Sequence, residues 1–184
     1  MKHLKLYEQF DENDPFGEEI EYVKPTFLSW LRNKYPDENT WSEITRIDCY
    51  NNQLTSLEGI ENLVNLKRLS CYNNQLTSLE GIENLVNLKY LKCSNNSLTN
   101  LEGIENLMSL ETLSCSNNQL TNMEIENLVN LKGLNCYHNQ LTSLEGIENM
   151  AKLVRLSCYQ NQFTIEYKDY LKNYCKKKKI ILEI

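Results

Sequence analysis

Seven cysteines, two histidines and a set of regularly placed glutamates are the residues of this 184-residue chain whose types suit chemistry. Cysteine thiolates attack electrophiles, close disulfides or bind soft metals, and spacing decides among these. Cys49, Cys71, Cys93 and Cys115 fall 22 residues apart, Cys136 follows after 21, and Cys158 after 22 again. No CxxC pair occurs, and His3 and His138 are the only imidazoles, so the spacing of a metal site is missing. A cysteine that returns at a fixed interval marks a position in a repeat, and these six read as small buried hydrophobes. Cys175 stands outside the series. His138 has no nucleophile placed beside it by a recognisable motif, and the chain has neither a Gly-rich phosphate loop nor H-E-x-x-H. The reading is a non-enzymatic protein with no metal site and no cofactor.

The cysteines belong to a unit, L-x-x-L-x-C-x-x-N-x-L-T-x-L-E-G-I-E-N-L-x-N, written six times between about Trp41 and Thr164. In Leu69-Ser70-Cys71 apolar residues alternate with a polar one, the period of a strand with one buried face. Leu76, Leu79, Ile82 and Leu85 then recur every third residue, which suits 3₁₀-like turns rather than a long helix. Gly81 permits a backbone conformation that a side chain would obstruct. One unit cannot bury its apolar stripe alone, so the units must stack, strand beside strand about 4.8 Å apart. Asn52, Asn74, Asn96, Asn118, Asn139 and Asn161 sit where each strand turns away, and their amides are placed to pair buried backbone groups. One copy, TNMEIENL at Thr121–Leu128, lacks the glycine of TNLEGIENL and predicts a tighter convex turn.

These units resemble the leucine-rich repeat family, L-x-x-L-x-L-x-x-N-x-L, in its short 22-residue form found in internalin-like bacterial proteins. Cysteine takes the place of the usual strand leucine. The resemblance implies an α/β fold: a leucine-rich repeat solenoid shaped as a curved arc, with a parallel sheet on the concave face and short 3₁₀ or irregular turns on the convex one. Helical caps close both ends. Residues 1–40 are expected to form an N-terminal arm and cap, 41–165 the repeats, and 166–184 a cap helix and final strand. Phe27, Leu28, Trp30 and Leu31 predict a cap helix within Pro25–Tyr35, and Thr40 with Glu43 a capping box opening the next turn. Tyr167, Tyr170, Leu171 and Tyr174 predict a helix at the other end, with Lys176–Lys179 as its solvated terminus and IILEI as a last strand. MKHLKLYEQF followed by DENDPFGEE resembles the lysine-aromatic-acidic leaders of proteins from large tailed phages, and reads as a loosely docked arm.

A net charge of −6 argues against non-specific binding of nucleic acid. No apolar run approaches the roughly 20 residues of a membrane helix, and charges interrupt the N-terminus where a secretory signal would be apolar. The expectation is a soluble, cytoplasmic monomer that meets no membrane.

In the family that the repeats resemble, residues flanking the buried strand positions face outward on the concave sheet, the surface used for binding. Here the first such column runs Arg46, Arg68, Tyr90, Thr112, Gly133 and Arg155, and the second runs Asp48, Ser70, Lys92, Ser114, Asn135 and Ser157. The third is Tyr50, Tyr72, Ser94, Ser116, Tyr137 and Tyr159, followed by Asn51, Asn73, Asn95, Asn117, His138 and Gln160. These columns vary, whereas the glutamates of EGIEN, which should be equally exposed, hardly change. Tyrosine and arginine are enriched in interface hot spots. A partner-binding face built from Arg46, Asp48, Tyr50, Arg68, Ser70, Tyr72, Asn73, Tyr90, Lys92, Tyr137, His138, Arg155 and Tyr159 follows. Its expected occupant is a protein, whose action the chain would inhibit or redirect. The alternatives are a nucleic acid or other polyanion held by the Arg and Lys side chains with tyrosines as stacking platforms, and a purely structural component.

Overall fold

The structure, a computed structural model, describes residues 26–184. The expected N-terminal arm falls on residues 1–25 and lies outside the described residues. Each unit contributes a strand of three residues, with one buried side chain between two outward ones. They are β1 (Arg46–Asp48), β2 (Arg68–Ser70), β3 (Tyr90–Lys92), β4 (Thr112–Ser114), β5 (Gly133–Asn135) and β6 (Arg155–Ser157), and the C-terminal β7 (Ile181–Glu183) extends the sheet. The seven strands are parallel and ordered as in the sequence. Register pairs Arg46 with Arg68 and Arg68 with Tyr90, so equivalent positions of successive units stand side by side.

Beneath the sheet the repeat's apolar positions form one core. Ile47, Leu69, Leu91, Leu113 and Leu156 are fully buried, as are all six periodic cysteines. A buried leucine stabilises the fold by about 1.5–3 kcal/mol, but only because the neighbouring unit covers it. The Sγ atoms of Cys71 and Cys93 donate to the carbonyls of Lys92 and Ser114, each at 3.5 Å. The cysteine therefore fills space and joins adjacent strands.

The asparagine ladder closes the strands as the spacing predicts. In Asn74, Oδ1 accepts from the N–H of Asn52 at 3.0 Å and of Leu54 at 3.1 Å. Its Nδ2 donates to the carbonyls of Cys49 at 2.9 Å and Cys71 at 3.0 Å. Asn96, Asn118, Asn139 and Asn161 repeat the pattern, accepting from Leu76, Leu98, Leu120 and Leu141. Asn52 opens the series, and among the described residues its amide donates only to the Tyr50 carbonyl, at 2.7 Å.

The convex side carries one-turn 3₁₀ helices at Ile60–Asn62, Ile82–Asn84, Ile104–Asn106 and Ile147–Asn149. Each follows a left-handed glycine, with φ between +86° and +96° at Gly59, Gly81, Gly103 and Gly146. The copy without glycine keeps a turn but no 3₁₀ helix around Ile125: Leu128 N–H donates to the Ile125 carbonyl at 2.9 Å, the bond that closes the other copies. What is missing is the left-handed glycine that opens the helix in the copies that have it. The consequence falls on the next unit: a Cβ at Gly146 would lie 2.7 Å from the Cα of Glu126, whereas at Gly103 the nearest atoms are side-chain atoms at 3.2 Å.

Both ends are capped. Helix α1 (Phe27–Lys34) is started by Thr26, whose hydroxyl accepts from the Ser29 N–H, and it buries Phe27 and Leu31. The expected Thr40–Glu43 capping box does not form. The 3₁₀ helix at Glu38–Glu43 starts earlier, capped by Asp37, and the Thr40 hydroxyl donates back to the Asp37 carbonyl at 2.8 Å. Asp37 directly follows Pro36, and the extended backbone there places its carboxylate to accept from Asn39 N–H. At the other end α2 (Ile165–Lys178) buries Leu171 and Cys175. Its tyrosines serve the last repeat: Tyr167 Oη accepts from Leu144 N–H at 2.7 Å, Tyr174 Oη donates to the Ile147 carbonyl at 3.1 Å, and Tyr170 bonds Glu148. The lysines at 176–179 are exposed, as expected of a solvated terminus.

Two stability measurements follow. Asn118→Ala orphans the Leu98 N–H and removes one of the two hydrogen bonds to each of the Cys93, Cys115 and Ser116 carbonyls in a buried turn, so urea unfolding should show a loss of about 2–4 kcal/mol, against under about 1 for Asn52→Ala. Gly146→Ala and Gly103→Ala both force alanine to positive φ, but the first also drives Cβ into backbone. Its loss of stability should exceed the second's by about 1–2 kcal/mol.

Candidate functional site

The sheet places the outward columns in file, one residue per strand step of about 4.8 Å. Tyr50 and Tyr72 stack face to face at one end, with centroids 4.7 Å apart and planes 8° apart. Tyr137 and Tyr159 do the same at the other, at 4.5 Å and 6°. Such pairs hold each other upright and contribute roughly 0.5–1.5 kcal/mol beyond their burial. Tyr50 remains 42% exposed and Tyr159 37% exposed, so the pairs are presented rather than absorbed. Between them lies a low floor, where Ser94 Oγ lies 2.9 Å from Ser114 Oγ and receives a hydrogen bond from Ser116 Oγ at 3.0 Å. The sequence gives no sign of this hydroxyl chain, because serine is compatible with any exposed position.

The charges are arranged as pairs. Arg46 Nε donates to Asp48 Oδ2 at 2.6 Å. That bond holds the Asp48 carboxyl below its ordinary range, with further help from Ser70. Arg68 lies over the Tyr90 ring at 4.5 Å, an orientation that presents a flat cation–aromatic platform. Lys92 and Arg155 are exposed. Burial, then the neighbouring Tyr137 ring, pushes the Tyr159 hydroxyl up in pKa, so it stays a neutral donor.

Three residues of the sequence-derived face are placed differently from the rest. Ser70 is only 6% exposed, covered by its taller neighbours, and acts as support for Asp48. Asn73 and His138 are exposed, but they occupy a column that is left-handed in every unit: Asn51, Asn73, Asn95, Asn117, His138 and Gln160 all have φ between +53° and +58°. Asparagine is the side chain that tolerates this region best, so its recurrence there is a backbone requirement. Asn-Asn after each of β1 to β4, with His-Asn after β5 and Gln-Asn after β6, was the available signal. The glutamates of EGIEN also have local work: Glu61 Oε2 accepts from the Gly59 N–H at 3.0 Å.

A family model described as leucine-rich repeats (two copies) matches residues 42–84 and 86–128. Among solved structures, the chain is similar to a leucine-rich repeat protein of Leptospira interrogans, at 33% identity and TM-score 0.73, over 78% of this chain and 38% of that one. An internalin of Listeria monocytogenes, InlF, matches at 27% identity and TM-score 0.69, over 74% of this chain and 40% of that one. The functional domain of InlJ from Listeria monocytogenes, described as including a cysteine ladder, matches at 34% identity and TM-score 0.65, over 69% of this chain and 28% of that one. The chain thus spans between 28% and 40% of the length of these structures. No curated protein matches the sequence significantly.

The cysteine file of this chain is built for packing. Burial pushes the thiols of Cys49, Cys93 and Cys158 up to about 12, and those of Cys71, Cys115 and Cys136 well above the ordinary value. A protonated, buried thiol is a poor nucleophile and a poor ligand. Unfolded thiols ionise from about pH 8.5, whereas the native ones stay protonated, so the unfolded state loses protons first and stability falls as pH rises. Urea midpoints should therefore drop steeply between about pH 9 and 12, and Cys93→Ala with Cys115→Ala should flatten that slope even while lowering stability at pH 7.

Proposed function

Because the chain is a leucine-rich repeat protein, we propose that it is an interaction module without chemistry of its own, whose concave face docks a protein partner and acts by occupying that partner's surface. No enzyme family is indicated by any of the matches, and this fold commonly serves as a protein-binding scaffold. The observation that carries the proposal is the pair of tyrosine stacks, Tyr50–Tyr72 and Tyr137–Tyr159, standing above the serine floor. Four pre-ordered aromatic rings supply contact area at little further entropy cost. The floor between them is broad and shallow, a shape suited to a protein surface rather than to an enclosed small molecule.

The polyanion alternative is weaker on the same face. Arg46 is paired with Asp48 and Arg68 lies over Tyr90, so two of its four cations already have partners. The tyrosines are also stacked on one another, which leaves fewer free faces for bases than separate platforms would.

The test compares the wild-type chain with Tyr72→Ala plus Tyr137→Ala as bait in an extract of the source organism. Wild type should retain a near-stoichiometric protein partner, and the double variant should bind it at least about tenfold more weakly when the purified pair is titrated. Recovery of the same partners with equal affinity by both baits contradicts the proposal.

A further inference from the structure

Outside the concave face, the exposed aliphatic side chains of the repeats are not scattered. Val64, Val86, Met108 and Val129 form one column on the flank that leads from the convex turn into the next strand, at 44%, 53%, 61% and 45% exposure. Val154, at 56%, belongs to the same flank, beside the start of β6, while exposed Ile165 and Ile181 belong to the C-terminal helix and final strand. Isolated exposed valines need no explanation, but an unbroken file across four units does. The file is rigid: Asn87 Nδ2 donates to the Val64 carbonyl at 3.1 Å and Asn130 Nδ2 to the Met108 carbonyl at 2.9 Å, which locks each unit to the one before.

Along the edge of this file nearer the strands, charge runs opposite to that of the whole chain. Lys67, Lys89, Lys132 and Lys152 are exposed beside the apolar file. Glu111, the acid in the same column as Lys67, Lys89 and Lys132, is neutralised between Lys132 at 2.6 Å and Lys89 at 3.7 Å. Lys89, Lys132 and Lys152 rim a shallow hollow of about 230 Å³ next to Met108. The EGIEN glutamates border the other edge, Glu61 coming three residues before Val64 and Glu83 three before Val86, in the convex turns. An apolar ridge with cations along one edge is complementary to an apolar stripe with carboxylates along the matching edge.

Spacing selects the form of that partner. Units repeat at about 4.8 Å, so four side chains span about 14 Å. Same-face residues of an extended strand are about 6.6–6.8 Å apart and drift out of register by about 2 Å at each step. The stripe of an α-helix at i, i+3, i+7 and i+10 advances by alternating steps of about 4.5 and 6 Å, which tracks the ridge over roughly ten residues. We propose that this flank is a second docking surface, separate from the concave tyrosines, and that its occupant is an amphipathic α-helix with acidic residues along one edge of its apolar stripe. Such a chain joins two proteins rather than capping one.

The probe is a blocked helical peptide of about 14 residues with leucines at i, i+3, i+7 and i+10 and glutamates along one edge of that stripe, titrated against the full chain beside a scrambled peptide of equal composition. The patterned peptide should bind and the scrambled one should not. Val86→Ser with Met108→Ser should weaken binding by about tenfold or more, while Lys89→Gln with Lys132→Gln should weaken it and flatten its dependence on salt. Tyr72→Ala with Tyr137→Ala should leave it unchanged. Equal binding of the two peptides, or no effect of the serine pair, overturns the proposal. So does co-sedimentation with phosphatidylserine vesicles in the absence of peptide binding, which would make the flank a lipid-facing surface.

Discussion

The bond on which the rest depends is the side-chain amide of asparagine at the end of each strand. A strand of three residues that turns away at once leaves carbonyls and N–H groups facing the core, and unpaired groups there would cost about 1–3 kcal/mol each. One asparagine satisfies groups from two successive units: Asn118 accepts from Leu98 N–H and donates to the carbonyls of Cys93 and Cys115. A side chain lacking either the donor or the acceptor could do half of this. The left-handed residue before each amide and the small cysteine beneath it belong to the same solution, since both bring the turn close over the core.

Because the amides and the buried leucines hold the stack, the outward columns are relieved of structural duty and can carry specificity. That separation is physical rather than statistical. Tyr50, Tyr72, Tyr137 and Tyr159 touch mainly one another, so changing them should leave the turns and the core intact. The flank follows a different rule. There Val64, Val86, Met108 and Val129 stay apolar through four units although water reaches about half of each, and the lysines beside them oppose the acidic convex side. A solenoid with two chemically distinct faces is suited to holding two partners at once.

Sequence periodicity made the core legible almost residue by residue: the leucines, the cysteines and the asparagine amides all lie where a 22-residue unit demands. Where local choices compete, it was less informative. Thr40 and Glu43 satisfy a capping pattern, yet Asp37 after Pro36 caps instead. The one-residue deletion near Ile125 kept the turn's closing hydrogen bond from Leu128 to Ile125 but lost its 3₁₀ helix, because the left-handed glycine that opens that helix elsewhere is missing. On the candidate site, the columns were legible from register alone. Ring stacking, the burial of Ser70 and the left-handed backbone at Asn73 and His138 were not, since they depend on what neighbouring units place 5 Å away.

Native-state hydrogen exchange of the Leu76, Leu98, Leu120 and Leu141 N–H groups tests the amide ladder most directly, since each of them donates to an asparagine Oδ1 of the next unit. If the ladder holds the solenoid together, these four exchange only through global unfolding, with the protection of the strand amides of Cys93 and Cys115. Exchange at the rate of exposed turns, while the strand amides remain protected, would mean that the amides decorate a stack held by the leucines alone.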